Sequence, residues 1–513
     1  MSGGTGEWGN GRRRLCAFAL LVALASFLPL PLSPAQAQRT ATPDDLAARV
    51  AALLDDPALA DAHWGVLIVD LETGDTLFAR NARRRFIPAS NQKLFTTAAA
   101  LAVLRPGYRY ETTLYLDGEV RGDTLHGDLV VRGAGDPTLG SPQFYDAPLD
   151  VFRTWADSLA ALGVAHVTGR VVGDDDVFDD VPYGLGWAWD DLTYGYAAEV
   201  SGFTFREGTV SLTVRGTRQR GAASLAWAPL LTPYVSFVNE TETLPAGAEV
   251  VEGYRRDLSG NRFVVTTAVP AGGTETEALA VHNPTLYAAH TLRLVLLGRG
   301  VAVEGPAVDV DDLDARPYYP ALRRVATTLS PTMAEIVQET NRRSNNLYAE
   351  HLLRTLGAGF PGEEPAPGSA AAGVLALRPL LEAAGIDPAS IQFIDGSGLS
   401  FMDRVTPLSI VSLLAYMHAY PDAGVRAAFY DSLPVGGQSG TLAGRFATGA
   451  ARGNVRAKTG YINGVRALSG YVTSARGHPI AFALLANHYS APTRYVDAAQ
   501  DAVVELLADY AGR

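Results

Sequence analysis

Ser90-Asn91-Gln92-Lys93-Leu94-Phe95-Thr96-Thr97-Ala98-Ala99-Ala100 reads as the opening of a helix and carries one of only two lysines in 513 residues. The other forty basic positions are arginine, so a bare positive charge is almost everywhere supplied by that residue. Lysine differs in being able to give up its proton near neutral pH when desolvated, and in presenting a compact ammonium with rotatable donors. Both are tasks of an active site. A spacing of three sets Ser90 and Lys93 on one helix face, one turn apart. A serine hydroxyl needs a base to become a nucleophile, and a partly desolvated lysine can be that base. The helix start adds backbone N–H groups and positive partial charge for a developing oxyanion. The tetrapeptide alone also fits an exposed lysine at a helix start. The rarity of lysine and the small-residue run Thr96 to Ala100 favour the catalytic reading.

The second lysine opens Lys458-Thr459-Gly460, and the apolar residues after it predict a hairpin of Ala467 to Val472 with Ile480 to Ala486 around Arg476-Gly477. This fits the start of an edge strand. A fixed cation and a hydroxyl suit a carboxylate, while the glycine leaves room for a bound peptide. A third motif, Ser344-Asn345-Asn346, lies between helical stretches Met333 to Arg342 and Leu347 to Leu356. Ser-x-Asn is common as a helix cap. Its place and order here suggest a serine that relays the proton from the nucleophile to a leaving amine, with Asn346 bonding the substrate amide or Lys93.

Working outward, Asp44 to Leu54 has helical spacing, Val66 to Leu71 and Thr76 to Ala79 read as a strand pair, and Ala89 to Leu104 is the helix of the first motif. Arg494 to Tyr510 reads as a terminal amphipathic helix. Helices at both ends around antiparallel strands predict one α/β layer domain assembled from the two ends of the chain, residues 38–105 and 317–513. Between them, 106–316 reads as an inserted, mainly-β region, with strands at Tyr110 to Leu116, Asp128 to Arg132, Val167 to Val172, Val210 to Val214 and Arg262 to Val269. Leu149 to Leu162 and Pro284 to Arg299 interrupt it as helices, and 357–373 reads as a loop.

Residues 1–37 read as a signal peptide: Arg12-Arg13-Arg14, an apolar run from Leu15 to Leu32, then Ala35-Gln36-Ala37. Cleavage near Ala37 leaves no permanent membrane anchor, removes Cys16, the one cysteine, and takes the formal charge from −12 to −14. Such acidity excludes nucleic acid and an anionic membrane surface as expected partners. The nine histidines are scattered without a His-Glu-x-x-His pattern, so no metal or other cofactor is expected. Asp174-Asp175-Asp176 with Asp179-Asp180 reads as a solvated turn rather than a calcium loop. Trp187 and Trp189 read as packing within the inserted region rather than as a sugar platform.

With these residues in view, the chain resembles the low-molecular-mass class C penicillin-binding proteins, the serine-type D-alanyl-D-alanine carboxypeptidase/endopeptidase family. Further matching stretches are Gly127-Asp128-Leu129 with Gly133-Ala134-Gly135-Asp136-Pro137-Thr138-Leu139, Gly186-Trp187-Ala188-Trp189-Asp190-Asp191-Leu192, Asp395-Gly396-Ser397-Gly398-Leu399-Ser400 and Leu433-Pro434-Val435-Gly436-Gly437 with Gly440-Thr441-Leu442. The separation of 254 positions from Ser90 to Ser344 accommodates the two inserted domains of that family, the second nested at about 176–280 here. The resemblance implies a penicillin-recognising, β-lactamase-like catalytic domain acting on peptidoglycan stem peptides in the periplasm, with β-lactam antibiotics as inhibitors. It implies Ser90 as nucleophile, Lys93 as base and Ser344 with Asn346 as the second motif. Lys458, Thr459 and Gly460 would receive the terminal carboxylate, and the N–H groups of Ser90 and Tyr461 the oxyanion. Asp174, Phe178 and Asn463 would line the pocket for the penultimate side chain. Phe401 stands where relatives often place arginine, which implies weak recognition of a side-chain carboxylate. The rivals are a β-lactamase or esterase of the same fold, and a non-catalytic wall-binding scaffold.

Overall fold

The computed structural model describes residues 43–218, 221–230, 232–358 and 366–512; the expected signal peptide lies outside them. The two chain ends build one antiparallel sheet of five strands, in the order Arg456–Ile462, Val465–Thr473, Pro479–Asn487, His63–Asp70, Thr76–Arg80. Side chains alternate across its faces, as the pleat requires. Leu67, Ala481, Ala483 and Leu485 point into one core with helices Lys93–Leu104 and Pro407–His418. Val66, Ile68, Ile480, Phe482, Leu484 and Ala486 point into another, closed by helices Pro43–Leu54 and Thr493–Ala508. Helices thus cover both faces, and Lys458 lies on an edge strand as its motif predicted.

The intervening region has a core of its own, spanning Leu114 to Val303. A mixed sheet runs Ala302–Val303, His166–Val167, Thr124–Arg132, Glu111–Arg121, Arg323–Leu329, with Val171–Asp174 and Ala307–Asp309 paired beside it. Helices Asp150–Ala161 and Pro284–Gly298 contribute Phe152, Trp155, Tyr287 and Leu292 to that core. Between residues 209 and 280, eight of the strands form three small sheets. Two sequence expectations are revised. Arg323–Leu329 pairs with Glu111–Arg121, so this sheet takes in residues assigned to the second catalytic segment. The strand expected over Arg262 to Val269 breaks at Thr266-Thr267 into Arg262–Val265 and Ala268–Pro270, each with a different partner. No helix among the described residues is long and apolar enough to cross a membrane.

Candidate active site

The nucleophile candidate sits on a tight turn, Ala89–Gln92, that feeds helix Lys93–Leu104. Ala89 adopts φ +45°, a conformation that costs a non-glycine residue about 1–3 kcal/mol and persists only where the surroundings impose it. Here the edge strand imposes it. The Asn91 amide donates to the Lys458 carbonyl at 3.0 Å. A Cβ at Gly460 would stand 2.7 Å from the Pro88 carbonyl oxygen and 3.2 Å from Ser90 N, so the strand can approach Ser90 this closely only as glycine. The strand's register also fixes where its N–H groups point. The turn Asn463-Gly464 closes Ile462 on Val465, and the Ala457 N–H turns away from Val465–Thr473 to the Pro434 carbonyl. By the two-residue period, Thr459 and Tyr461 aim their N–H groups to that same open side.

Lys93 and Lys458 are both fully buried. Lys93 Nζ lies 3.0 Å from Ser90 Oγ, 2.6 Å from Asn346 Oδ1 and 2.7 Å from the Ser397 carbonyl. Two of these partners can only accept. A neutral amine spends its two N–H groups on them and keeps its lone pair for the Ser90 hydroxyl hydrogen. Burial lowers Lys93 to about 7, against the opposing pull of Asp395, Glu350 and Asp403. Lys458 Nζ donates to Ser344 Oγ at 2.8 Å and to the Thr459 carbonyl at 3.0 Å. Burial, then the neighbouring Lys93 and Arg466, hold its pKa well below the usual lysine range. Ser344 ends helix Met333–Arg343 in a left-handed conformation, φ 61°, which turns the chain directly into helix Asn346–Ala358. Two helices therefore meet at the motif and carry Ser344 to one lysine and Asn346 to the other.

The structure thus brings Ser90, Lys93, Ser344, Asn346 and Lys458 together as two neighbouring hydrogen-bonded groups, Ser90–Lys93–Asn346 and Ser344–Lys458, with Thr459 Oγ1 bonded to Thr441 Oγ1 at 2.8 Å beside the second. Tyr461 is exposed on the same strand and Asn463 occupies the hairpin turn beyond it. Phe401 is partly exposed on the loop after Ser400, and Arg404 folds back onto the Phe401 and Asp403 carbonyls.

Asp174 and Phe178 are placed otherwise than expected. The Asp174 carboxylate is buried, takes the Tyr319 hydroxyl and the Asp176 N–H, and faces a cavity of about 670 Å³ lined also by Arg132, Arg316 and Arg324. None of the five clustered residues lines that cavity. Phe178 is 2% exposed and packs edge-on against the His351 ring. Phe178 is thus a packing residue, and Asp174 serves a cavity apart from the five clustered residues. Of the acidic run, Asp176, Asp179 and Asp180 stay at least partly open to solvent, whereas Asp175 joins Asp309 and Asp311, whose carboxylate oxygens lie within 4.8 Å of one another, a group among the described residues that could hold a cation.

Residues that sequence reasoning missed come from the inserted region. The Asn346 amide donates to the Tyr196 carbonyl at 2.8 Å, and the Tyr196 hydroxyl donates to Asp191 at 2.7 Å. Trp187 does not pack only within its own region: its indole N–H donates to Asp395 of the Asp395–Ser400 loop at 2.9 Å, while Trp189 is exposed. That loop lies against the nucleophile turn, because Gly398 at φ +79° would otherwise place a Cβ 1.9 Å from the Ala89 carbonyl oxygen. The stretches holding Trp187 and Asp395 were visible as motifs. Their meeting was not.

Known proteins resemble the chain over most of its length. The profile of the D-Ala-D-Ala carboxypeptidase 3 (S13) family matches residues 46–510. The chain is 34% identical, over 98% of its length and 92% of the relative's, to a D-alanyl-D-alanine carboxypeptidase of an Actinomadura species. It is 27% identical to the Haemophilus influenzae D-alanyl-D-alanine carboxypeptidase DacB, over 84% of this chain and 86% of that one. The crystal structure of penicillin-binding protein 4 (dacB) from Haemophilus influenzae superposes with TM-score 0.77 at 24% identity, covering 90% of this chain and 99% of the other. The same protein has been solved in complex with a β-lactam. The chain belongs to the D-Ala-D-Ala carboxypeptidase 3 family.

Proposed function

We propose that, as a member of this family, the chain is a serine-type D-alanyl-D-alanine carboxypeptidase, with endopeptidase action on stem-peptide cross-links, working through an acyl-enzyme on Ser90. The observation that carries this reading is the buried Lys93 amine, whose two N–H groups meet pure acceptors while its lone pair faces Ser90 Oγ. Neutral Lys93 takes the hydroxyl proton as Oγ attacks the penultimate D-alanine carbonyl. The N–H groups of Ser90 and Tyr461 stabilise the oxyanion. Collapse expels the terminal D-alanine amine, which gains its proton from the Lys458 and Ser344 pair. The proton that Lys93 took from Ser90 passes to that pair and leaves Lys93 neutral again; water then attacks the ester, Lys93 removes its proton and hands it to Ser90 Oγ as the ester breaks.

Lys458 and the paired hydroxyls of Thr459 and Thr441 suit the terminal carboxylate. With Asp174 occupied by Tyr319, the side chain of the residue before D-Ala-D-Ala meets Tyr196, Asp191 and Phe401 instead. β-Lactams present a strained amide to the same nucleophile and remain as an ester. The leader-like residues 12–37 support export, which places this work outside the cytoplasm. Incubation with a fluorescent penicillin, followed by intact mass and release of D-alanine from a D-Ala-D-Ala peptide, tests the reading. A stable Ser90 adduct and released D-alanine are expected. Rapid turnover of the penicillin without D-alanine release would instead identify a β-lactamase, and no adduct a binding protein.

A further inference from the structure

Glu350 lies one turn beyond Asn346 on the same helix and is completely buried. Its Oε1 accepts two backbone N–H groups at once, from Gly396 at 3.0 Å and Ser397 at 2.9 Å. Its Oε2 accepts from Arg354 Nη1 at 3.2 Å, and Arg354 reaches on to the Val181 carbonyl at 3.0 Å. The Ser397 carbonyl is one of the two acceptors that orient Lys93. Burying a carboxylate costs several kcal/mol unless charge and hydrogen bonds offset it. If the only requirement were to tie down two N–H groups, a neutral acceptor would do so without that cost.

We propose that Glu350 is a positioning residue: it fixes the Gly396–Ser397 peptide so that the Ser397 carbonyl faces Lys93 Nζ, and its charge offsets the burial of that amine. This rests on the reading of Lys93 as the base. The loop is held from its other side as well, by Thr96 Oγ1 on the Gly396 carbonyl at 2.8 Å and Gln92 Nε2 on the Asp395 carbonyl at 3.4 Å. Glu350 therefore completes a clamp on a segment one residue from the catalytic amine's partner. The charged groups facing Lys93 are Asp395, Glu350 and Asp403, which favour its protonated form, and Lys458, which disfavours it. Those facing Glu350 are Arg354 from its own helix and Asp395 and Asp403 from the loop, with Asp179 behind Arg354 at 3.6 Å. Burial and Asp395 push the Glu350 carboxyl above the usual carboxylate range, while Arg354 and the two N–H donors work to keep it ionised. Without Glu350's charge, burial acts on Lys93 less opposed and the amine loses its proton at a lower pH.

The test uses the full-length protein labelled with [ε-13C]lysine. Two lysines give two resonances, and Lys93→Arg identifies which is Lys93. Glu350→Gln keeps the shape and a carbonyl acceptor but removes the charge. Its Lys93 midpoint should fall by about half a pH unit or more. Glu350→Asp keeps the charge but is one methylene short of the two N–H groups. Its penicillin acylation rate constant should fall about tenfold or more while the non-covalent dissociation constant stays unchanged. An unmoved Lys93 midpoint in folded Glu350→Gln, or wild-type acylation by Glu350→Asp, overturns the proposal. Should Glu350→Gln fail to fold, the acylation rate of Glu350→Asp decides alone. A wild-type Ser90 adduct alongside either overturning result would leave the nucleophile assignment standing.

Discussion

Lys93 and Asp175 meet the same force from opposite sides. Burial lowers the amine to about 7 and raises the carboxyl to about 7, so each is pushed toward its neutral form. Their surroundings differ. Lys93 Nζ itself has three polar partners, and three carboxyl groups oppose the desolvation. Around Asp175 the neighbours Asp309 and Asp311 add to it, and although Ser201 and Thr285 donate to Oδ2, Oδ1 has no hydrogen-bond partner among the described residues. In the first case the shifted pKa suits the base proposed for Ser90. In the second it is a load on stability, and a shift alone does not tell the two apart.

The strongest way to break the comparison is at the reagent. Ser90→Ala and Lys93→Arg should each lower acylation by about 10⁴-fold or more, and the double variant should look little worse, because the pair acts as a unit. Arginine keeps the charge but cannot accept a proton, so normal penicillin labelling of Lys93→Arg would remove the base from its role. Next comes Lys458→Ala. It should cost about 100-fold more on a free D-Ala-D-Ala terminus than on an ester lacking the carboxylate, and equal losses would move Lys458 from anchoring to chemistry. A smaller effect, about tenfold in acylation rate with the melting temperature near wild type, is expected for Gly460→Ala, whose new Cβ pushes the strand from Ser90. An unchanged rate would show that the strand yields freely there.

The least effect belongs to Asp175. Its folded pKa lies above the ordinary 3.8, so between about 4 and 7 the native state binds more protons than the unfolded chain. Stability is therefore lost as pH rises through that window. Asp175→Asn should raise the melting temperature by about 1–3 °C at pH 8 and hardly at all at pH 4. An equal offset at both values would mean that the carboxyl is not titrating.

What could be read in advance follows from distance along the chain. Ser90 with Lys93, Ser344 with Asn346, and Lys458 with Thr459 are local patterns, and helix or strand geometry alone sets each pair's side chains. The α/β layer from the two chain ends was equally legible, since the unbroken apolar run 480–486 and the helical spacing in 44–54 are one-dimensional signals. Asp174 and Phe178 were not, because the face a short strand or turn presents depends on Tyr319 and His351, more than a hundred residues away. Glu350 was concealed for another reason: with Arg354 four residues on it looks like an ordinary surface ion pair, and only the fold shows both side chains to be 1% exposed or less. Arg323–Leu329 likewise carries no local mark of its partner strand, Glu111–Arg121.

The burial of both lysines has a practical side in conjugation chemistry. Acylating reagents such as succinimidyl esters ordinarily decorate a protein at its exposed lysines. On the folded chain from residue 43 onward they find no ε-amine at the surface, and the forty arginines do not react in their place. Dyes, biotin and resins aimed at amines should therefore couple poorly to the native protein except through an α-amino group, and should couple readily once it is unfolded. An electrophile able to reach Lys93, whose amine burial lowers to about 7, meets no surface lysine competing for it.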